Sequence, residues 1–253
     1  MAGNTSRPGV SVVSRAVAVL DAFDERHRRL TLTELARRAD LPLPTTHRLV
    51  GELTAHGALA RAPSGEYVIG RRIWSLGLLA PMQTGLREIA SPFLQDLYTA
   101  TLATINLAVR EGTDVLYLDR LSGKRSVPVV SKVGSRLPMY STGVGKVLLA
   151  HAPEDVQAQV LSSLRRITPY TITQPARLEA QLARVLTDNY ATTVEEMTLG
   201  ACSVAVPIRR GDEEVVAALG IVVPSLKRDR SRLVAALQVA AHGIGRNLSQ
   251  DRA

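Results

Sequence analysis

Cysteine, aromatic residues and long apolar runs are all scarce in this chain of 253 residues. The single cysteine, Cys202, excludes an internal disulfide framework and is typical of a reducing compartment. No apolar run approaches the roughly 18 residues that a membrane-spanning helix needs. Residues 1–23 also lack the uninterrupted apolar region of a signal peptide. These absences predict a cytoplasmic protein without a membrane partner.

Catalytic and metal-binding patterns are also missing from the sequence. The five histidines show no spacing typical of metal ligands, and Cys202 has no neighbouring base that would activate its thiol. We interpret Cys202 as a small buried hydrophobic residue. The adjacent Glu195 and Glu196 are interpreted as a solvated or strand-edge pair and not as a catalytic dyad. The sequence therefore predicts no enzyme activity, no metal and no cofactor.

The stretch LPMYSTGVGKVLLAH, residues 137–151, contains a G-V-G-K that suggests a phosphate-binding loop but fails its tests. A Walker loop needs glycine at position 140, which is Tyr140, and a hydroxyl at position 147, which is Val147. A dinucleotide fingerprint needs a third glycine where Leu148 stands. What remains is a helix start, capped by Ser141 or Thr142, whose first free amides favour an anion. Spacing alone leaves open a carboxylate site or a capped helix without a ligand.

The first 70 residues carry the pattern of a winged helix-turn-helix. One helix would present Val13, Val17, Leu20 and Phe23 on one face, and a second would begin at the capping-box spacing T-L-T-E of residues 31–34. A third, PTTHRLVGELTAHG, follows a short turn with Pro44 in its first turn, and two short strands then surround P-S-G. Helix order, turn length and hairpin together predict a DNA-binding module with a protruding third helix.

Charge is consistent with a nucleic-acid partner without proving it. The net charge is +8, and residues 1–72 hold 11 Lys and Arg against 7 Asp and Glu, which is half of the excess in under a third of the chain. We expect the start of the third helix to be exposed and to contact double-stranded DNA, with two further arginines near the backbone. A solvated polar or basic surface is the alternative for each. These candidate residues are Thr45, Thr46, His47, Arg48, Arg61 and Arg71.

The rest of the chain is predicted to form a connecting helix, residues 71–84, and a second domain, residues 85–253. Strands are expected around the turn E-G-T-D, at SVPVVSKV, and at ACSVAVPIRR and EEVVAALGIVVP. Helices are expected near residues 153–163, 175–188 and 226–248. Strands grouped at both ends with helices between them predict an antiparallel sheet backed by helices, an α+β fold.

Four motifs in order resemble the IclR family of bacterial transcriptional regulators over nearly the full chain. They are SRAVAVLDAF with LTELARRADLPLPTTHRLVGELTAHGAL, then GEYVIGRRIWSLG, GSRLPMYSTGVGKVLLA, and VEEMTLGACSVAVPIRRGDEEVVAALGI. The resemblance implies an N-terminal winged helix that dimerises and a GAF-like C-terminal domain that binds an effector. Members of this family are usually repressors, sometimes activators, and often pair further into tetramers.

The resemblance also implies where a small-acid effector binds. In relatives the acid is bound partly by the backbone at the positions of Gly143 and Val144, beside an apolar wall that matches Leu137 and Val129, with Ser126 nearby. Other pocket positions depart from a well-known relative by being less acidic and more apolar, which favours a larger acid, such as an aromatic one, over a two-carbon keto acid. Those positions are Thr193 in place of Asp, Ser203 in place of Cys, and Gly220 and Val222 in place of two serines.

These patterns together predict a regulator, more often a repressor than an activator, whose operator binding is modulated by a small organic acid. Ser141 or Thr142 would supplement the helix amides, Val222 would pack against the apolar body, and Ser203 and Thr193 would lie at its far end. We expect a homodimer or a homotetramer, because paired modules read two half-sites. The alternatives are a DNA-binding protein without a ligand and an enzyme tethered to DNA.

Overall fold

The computed structural model describes residues 11–24, 27–77, 84–124, 126–211 and 214–250. The chain divides into two compact units, Met1–Met82 and Gln83–Ala253. This division falls within the predicted connecting segment of residues 71–84, of which residues 78–83 lie outside the described part.

The N-terminal unit contains helices and a two-stranded hairpin in the predicted order. Its elements are α1 (Val12–Asp21), α2 (Leu32–Arg38), α3 (Leu43–Ala55), β1 (Leu59–Arg61), β2 (Tyr67–Ile69) and α4 (Arg71–Gly77). The two strands are antiparallel, with Ala60 opposite Val68. This is the predicted winged helix-turn-helix, and the prediction of its fold is confirmed.

Local sequence signals explain where these helices begin and end. Thr31 and Glu34 form the predicted capping box, since the Thr31 hydroxyl accepts from the Glu34 amide while the Glu34 carboxylate accepts from the Thr31 amide. The chain leaves α3 at Gly57, whose φ of +69° lies in the left-handed region that glycine adopts without strain. Val19, Leu35 and residues of α3 and β1 then form one buried core.

The four residues predicted to share one face of α1 divide between the core and the surface. Val13 is 72% exposed and Val17 is 47% exposed, while Val19 and Ala22 are buried and Leu20 and Phe23 pack partly against the core. The helix is apolar on more than one face, so periodicity alone could not decide which face would be buried. Its outer apolar side is left uncovered in the single chain.

The C-terminal unit is an α+β domain built on a single six-stranded sheet. Strand order is β5-β4-β3-β8-β7-β6 and every pairing is antiparallel, as the sequence predicts. Its elements are α5 (Thr84–Thr101), β3 (Thr104–Glu111), β4 (Asp114–Leu121), β5 (Arg136–Pro138), α6 (Gly143–Ala150), α7 (Glu154–Leu161), α8 (Pro175–Asp188), β6 (Ala191–Val194), β7 (Cys202–Arg210), β8 (Glu214–Val223) and α9 (Arg230–Gln250).

The two faces of this sheet are built from different side chains, because alternate residues of a strand point to opposite sides. Helices α5 and α9 cover a face of large aliphatic residues, which include Ile105, Leu107, Val204, Val206, Leu219 and Ile221. Helix α6 lies on the other face, with α8 packed against it, over small or polar residues that include Asn106, Ala108, Ser203, Ala205, Ala218 and Gly220.

Two strand predictions need correction. The stretch SVPVVSKV, residues 126–133, forms no strand, because Pro128 has no amide to donate to a ladder and the valines serve a cavity described below. A short strand, β5, follows it instead. The other error is an omission: β6 was not expected, since its four residues, A-T-T-V, are too few to show an alternating pattern.

Candidate functional site

Helix α3 presents its outward side at the positions expected to meet DNA, with one exception. His47 and Arg48 are exposed and Thr45 is half-buried. Thr46 is completely buried, and its hydroxyl donates to the Pro42 carbonyl at 3.1 Å. The expected exposure of Thr46 is therefore wrong. One helical turn offers its outer side to solvent at only some positions, and Thr46 lies on the side that packs against the core.

The two other arginines predicted to contact DNA are both exposed. Arg61 lies in β1, where its Nε donates to the Gly65 carbonyl at 3.3 Å and its guanidinium lies 5.9 Å from the centre of the Tyr67 ring. These contacts brace the wing turn and leave the charge near the surface. Arg71 begins α4 and is also open to solvent.

A cavity of about 50 Å³ lies on the small-residue face of the sheet, at the start of α6. Ten of the eleven predicted effector residues line it: Val129, Leu137, Ser141, Thr142, Gly143, Val144, Thr193, Ser203, Gly220 and Val222. Ser126 does not. Its hydroxyl accepts from the Gly123 amide at 3.0 Å and donates to the Leu102 carbonyl at 3.2 Å, so this predicted contact is corrected to a turn after β4.

The start of α6 borders the cavity, and its chemistry suits an anion. Thr142 caps the helix, and its hydroxyl accepts from the Gly145 amide at 3.1 Å. The amides of Gly143 and Val144 precede the first intrahelical hydrogen bond, so they are available to a ligand in the cavity. All eight residues of the helix are buried, which keeps water from weakening the field of its positive end.

Two glycines allow this helix start to approach the sheet closely. A Cβ atom on Gly143 would lie 2.5 Å from the Ser203 hydroxyl oxygen, and one on Gly220 would lie 2.8 Å from a methyl group of Val144. Ser203 is thus beside the start of α6, whereas the sequence analysis placed it at the end of the ligand away from the helix amides. Its hydroxyl shares a hydrogen bond of 2.6 Å with that of Thr193.

Sequence reasoning missed several residues that line the cavity. Asn106 alternates with buried aliphatic residues in β3, and a polar residue in such an inward pattern was the available signal. Burial raises the pKa of the Tyr117 phenol to about 12, although hydrogen bonding with Thr142 opposes the rise, so this hydroxyl stays neutral at physiological pH. The other missed lining residues are Val130, Ser131, Met197, Thr198, Ala201, Val204 and Ile221.

A buried ion pair lies behind the cavity, where the sequence suggested a solvated or strand-edge acidic pair. Lys146 of α6 is 1% exposed and Glu196 is 5% exposed. The Lys146 ammonium donates to the two Glu196 carboxylate oxygens at 2.6 and 2.8 Å and to the Gln181 side-chain oxygen Oε1 at 2.7 Å. The interpretation of Glu196 was therefore wrong, because its partner is fifty positions away in sequence and the pattern could not show it.

This ion pair fixes one wall of the cavity. Glu196 directly precedes Met197 and Thr198, which line it, and the Glu196 carbonyl accepts from the Thr171 hydroxyl at 2.7 Å. Desolvation lowers the pKa of Lys146 and raises that of Glu196, in both cases against their mutual attraction. None of the residues lining the cavity is acidic, so an anion there meets no facing carboxylate.

Cys202 is buried, as expected, and burial raises the pKa of its thiol, which makes a reactive thiolate unfavourable. Within the part of the chain that the structure describes, no three His, Cys, Asp or Glu residues come together as a metal site. The helices of that same part include none with the length and apolarity needed to cross a membrane.

Comparison with known proteins connects both units to one group of regulators. The profile of the IclR helix-turn-helix domain matches residues 12–63, and that of the bacterial transcriptional regulator IclR C-terminal domain matches residues 80–249. An IclR homologue from Microbacterium hydrocarbonoxydans, solved in complex with 4-hydroxybenzoate, is 36% identical with a TM-score of 0.90, covering 94% of this chain and 99% of that one.

Two curated regulators are similar over comparable lengths. BhcR of Paracoccus denitrificans is 32% identical over 230 residues, which cover 90% of this chain and 82% of that protein. XynR of Escherichia coli is 29% identical over 229 residues, which cover 89% of this chain and 91% of that protein. Both are HTH-type transcriptional regulators.

Proposed function

Because the chain belongs to the IclR family of DNA-binding transcriptional regulators, which are not enzymes, we propose that it is a repressor whose operator binding is modulated by a small carboxylic acid. The observation that carries this proposal is the cavity at the start of α6. A ligand-modulated repressor needs a site where the ligand binds one domain arrangement more tightly than another. The difference between the ligand's affinities for the two arrangements sets the size of the response.

The chemistry of the cavity favours a monocarboxylate with an apolar or aromatic body. The Gly143 and Val144 amides face the carboxylate, and Leu137, Val129 and Val222 pack against the body. An amine would find no carboxylate among the lining residues. The 4-hydroxybenzoate held by the Microbacterium homologue belongs to the same chemical class.

DNA recognition is assigned to the outward side of α3 and to the neighbouring arginines. His47 and Thr45 can exchange hydrogen bonds with base edges in the major groove, while Arg48, Arg61 and Arg71 can neutralise phosphates. One such helix reads a single half-site, so specific binding to an operator requires a second copy.

We assign the second copy to the outer face of α1, and a homodimer is the expected assembly. Val13 and Val17 are exposed there, and two such helices could bury these side chains against each other. A tetramer formed from two dimers is the next expected state. Light scattering at micromolar concentration should show at least twice the 27.3 kDa of one chain, and a monomer alone would contradict the assignment.

The experiment that tests the function uses the full chain and its own upstream DNA. Isothermal calorimetry with benzoates, short keto acids, amines and ATP should show binding of an apolar-bodied acid and none of the amines or ATP. Gel-shift titration should then show that the same acid changes the affinity for the operator. Operator binding without binding of any acid would indicate a ligand-independent DNA-binding protein, and binding of ATP alone would overturn the proposal.

A further inference from the structure

One corner of the cavity lies away from the helix amides and is built from polar side chains. Asn106 of β3 and Ser131 of the irregular segment that follows β4 line it. Ser203 of β7 lies beside Gly143, at the end of the cavity where the helix amides are, and β8 separates β7 from β3 in the sheet. Two strand spacings amount to about 10 Å, so the two ends are separated by roughly the length of a para-substituted benzoate.

The polar groups in and beside this corner are incompletely hydrogen-bonded. Asn106 is 3% exposed, and its one hydrogen bond is a long one, in which the Ser131 hydroxyl donates to the amide oxygen at 3.4 Å. Among the described residues its amide nitrogen has no acceptor. Thr104 Oγ1 and Arg120 Nε are also buried without a partner.

The sheet places these unsatisfied groups side by side. Asn106 pairs with Arg120 across the β3–β4 ladder, and Thr104 precedes Asn106 by two residues on the same face. Thr104 also pairs with Val222, which lines the cavity. Buried polar groups in native proteins are nearly always hydrogen-bonded, so several neighbouring exceptions beside a cavity point to a missing ligand atom.

The unsatisfied groups are mainly donors, which indicates what the missing atom is. The Asn106 amide nitrogen and Arg120 Nε can only donate, and the Thr104 hydroxyl can donate or accept. An apolar ligand end would leave the Asn106 donor unpaired, and a nitrogen group with poor acceptor capacity would do the same. An oxygen that accepts a hydrogen bond is the complementary group.

We propose that Asn106, assisted by Ser131, determines specificity by binding an oxygen at the end of the effector opposite its carboxylate. The effector is then an aromatic or similarly rigid acid with a hydroxyl or carbonyl oxygen at the far position. This inference rests on the proposed function, because it takes the carboxylate to lie at the start of α6.

Four benzoates that differ only at the para position test it by calorimetry on the full chain: benzoate, 4-methylbenzoate, 4-aminobenzoate and 4-hydroxybenzoate. Wild-type protein should bind 4-hydroxybenzoate about three to ten times more tightly than the methyl or amino compound, as expected for one added hydrogen bond. Asn106→Leu should abolish or reverse this preference while benzoate itself still binds.

Two further variants keep the test independent of folding defects. Ser131→Ala lies outside the sheet and should reduce the preference about threefold or less, since the Asn106 amide remains. Thr193→Val, near the amide end, should change the affinity for all four acids alike and leave the preference intact. Circular dichroism and thermal unfolding show whether Asn106→Leu folds. If it does not, the result of Ser131→Ala decides.

The outcomes separate this inference from the proposed function. If the acids bind and the wild type shows no preference, or if the preference persists in both Asn106→Leu and Ser131→Ala, the role of Asn106 is wrong while acid binding stands. If wild-type protein binds no acid of any class, the proposed function fails and this inference fails with it.

Discussion

The two faces of the six-stranded sheet come from the same strands but follow different rules. On the α5–α9 face, β3, β7 and β8 contribute leucine, isoleucine and valine side chains that are almost fully buried. On the α6 face the alternating positions carry alanine, glycine, serine and asparagine, and a cavity remains. Large aliphatic residues gain the most from burial, whereas small residues let a helix start come close enough to hold a ligand. One face therefore supplies stability, and the other holds the cavity.

The largest expected loss of stability comes from breaking the buried ion pair on the α6 face. Lys146→Met leaves the Glu196 carboxylate buried without its cation, so the free energy of unfolding should fall by about 3–5 kcal/mol. The double variant Lys146→Met with Glu196→Leu removes both charges and should unfold within about 1 kcal/mol of wild type. Urea titrations measure both. A double variant as unstable as the single one would show that the pair itself stabilises the fold.

The same pair gives a pH dependence whose sign follows from the two shifts. The pKa of Glu196 is raised above its ordinary 4.5, so the free energy of unfolding falls as the pH rises from 4.5 through the raised value. The pKa of Lys146 is lowered below 10.5, so the free energy of unfolding also falls as the pH drops from 10.5 through the lowered value. The free energy of unfolding of the double variant, relative to that of wild type, should therefore be highest between the raised pKa of Glu196 and the lowered pKa of Lys146. A difference between the two proteins that does not change with pH would contradict this.

The next effect tests whether the α5–α9 face serves stability alone. Leu219→Ala opens a cavity in a fully buried position of β8 and should lower the free energy of unfolding by about 2–5 kcal/mol. Acid affinity, measured on the folded variant, should be unchanged, since Leu219 points away from the cavity. Val239→Ala on α9, where the side chain is 75% exposed, is the matched control and should change neither quantity. A loss of acid affinity in Leu219→Ala would break the division between the faces.

On the α6 face, a single methyl group should affect binding more than stability. Gly143→Ala places a Cβ atom 2.5 Å from the Ser203 hydroxyl oxygen, so the helix amides must shift away from the carboxylate. Acid affinity should fall about tenfold to a hundredfold, as expected for weakened hydrogen bonds to a charged group. Adding Ser203→Gly removes the obstructing atom and should restore most of the loss, with Ser203→Gly alone as the control. A double variant that binds no better than Gly143→Ala would place the carboxylate elsewhere.

The smallest effect extends the comparison to the two sides of α3. His47→Ala removes an exposed group and should relax base preference by about 1–3 kcal/mol per lost contact without lowering stability. Thr46→Ala removes a buried hydroxyl bonded to Pro42 and should cost about 1 kcal/mol of stability while base preference is retained. Gel shifts on operator and mutated operators, with thermal unfolding, separate the two. An unchanged preference in His47→Ala would remove it from the interface.

The sequence predicted those features that depend on local pattern. The capping box at Thr31 and Glu34, the break at Gly57 and the long strands β7 and β8 follow from signals a few residues apart. Features that depend on distant partners were missed. The side of Thr46 depends on which neighbours pack there, and the Lys146–Glu196 pair joins residues fifty positions apart.

The cavity was predictable in its residues more than in its geometry. The resemblance and the helix-start pattern together indicated ten residues that do line it, but neither indicated Asn106 or that Ser203 lies beside Gly143. The resemblance also placed Ser126 near the apolar wall, whereas its hydroxyl bonds to the Gly123 amide and the Leu102 carbonyl in a turn. Strand order decides which residues face each other, and strand order is not a local property of the sequence.

The irregular segment of residues 126–135 and the buried helix α6 have separate consequences for the kinetics of ligand exchange. Val129, Val130 and Ser131 of the segment line the cavity, so we expect an acid to enter past them. All residues of helix α6 are buried. Loosening the segment should therefore raise the association and dissociation rates together, whereas weakening the amide contact should raise the dissociation rate alone. Under the proposed function, a promoter would respond to a falling effector concentration at a speed that the segment sets.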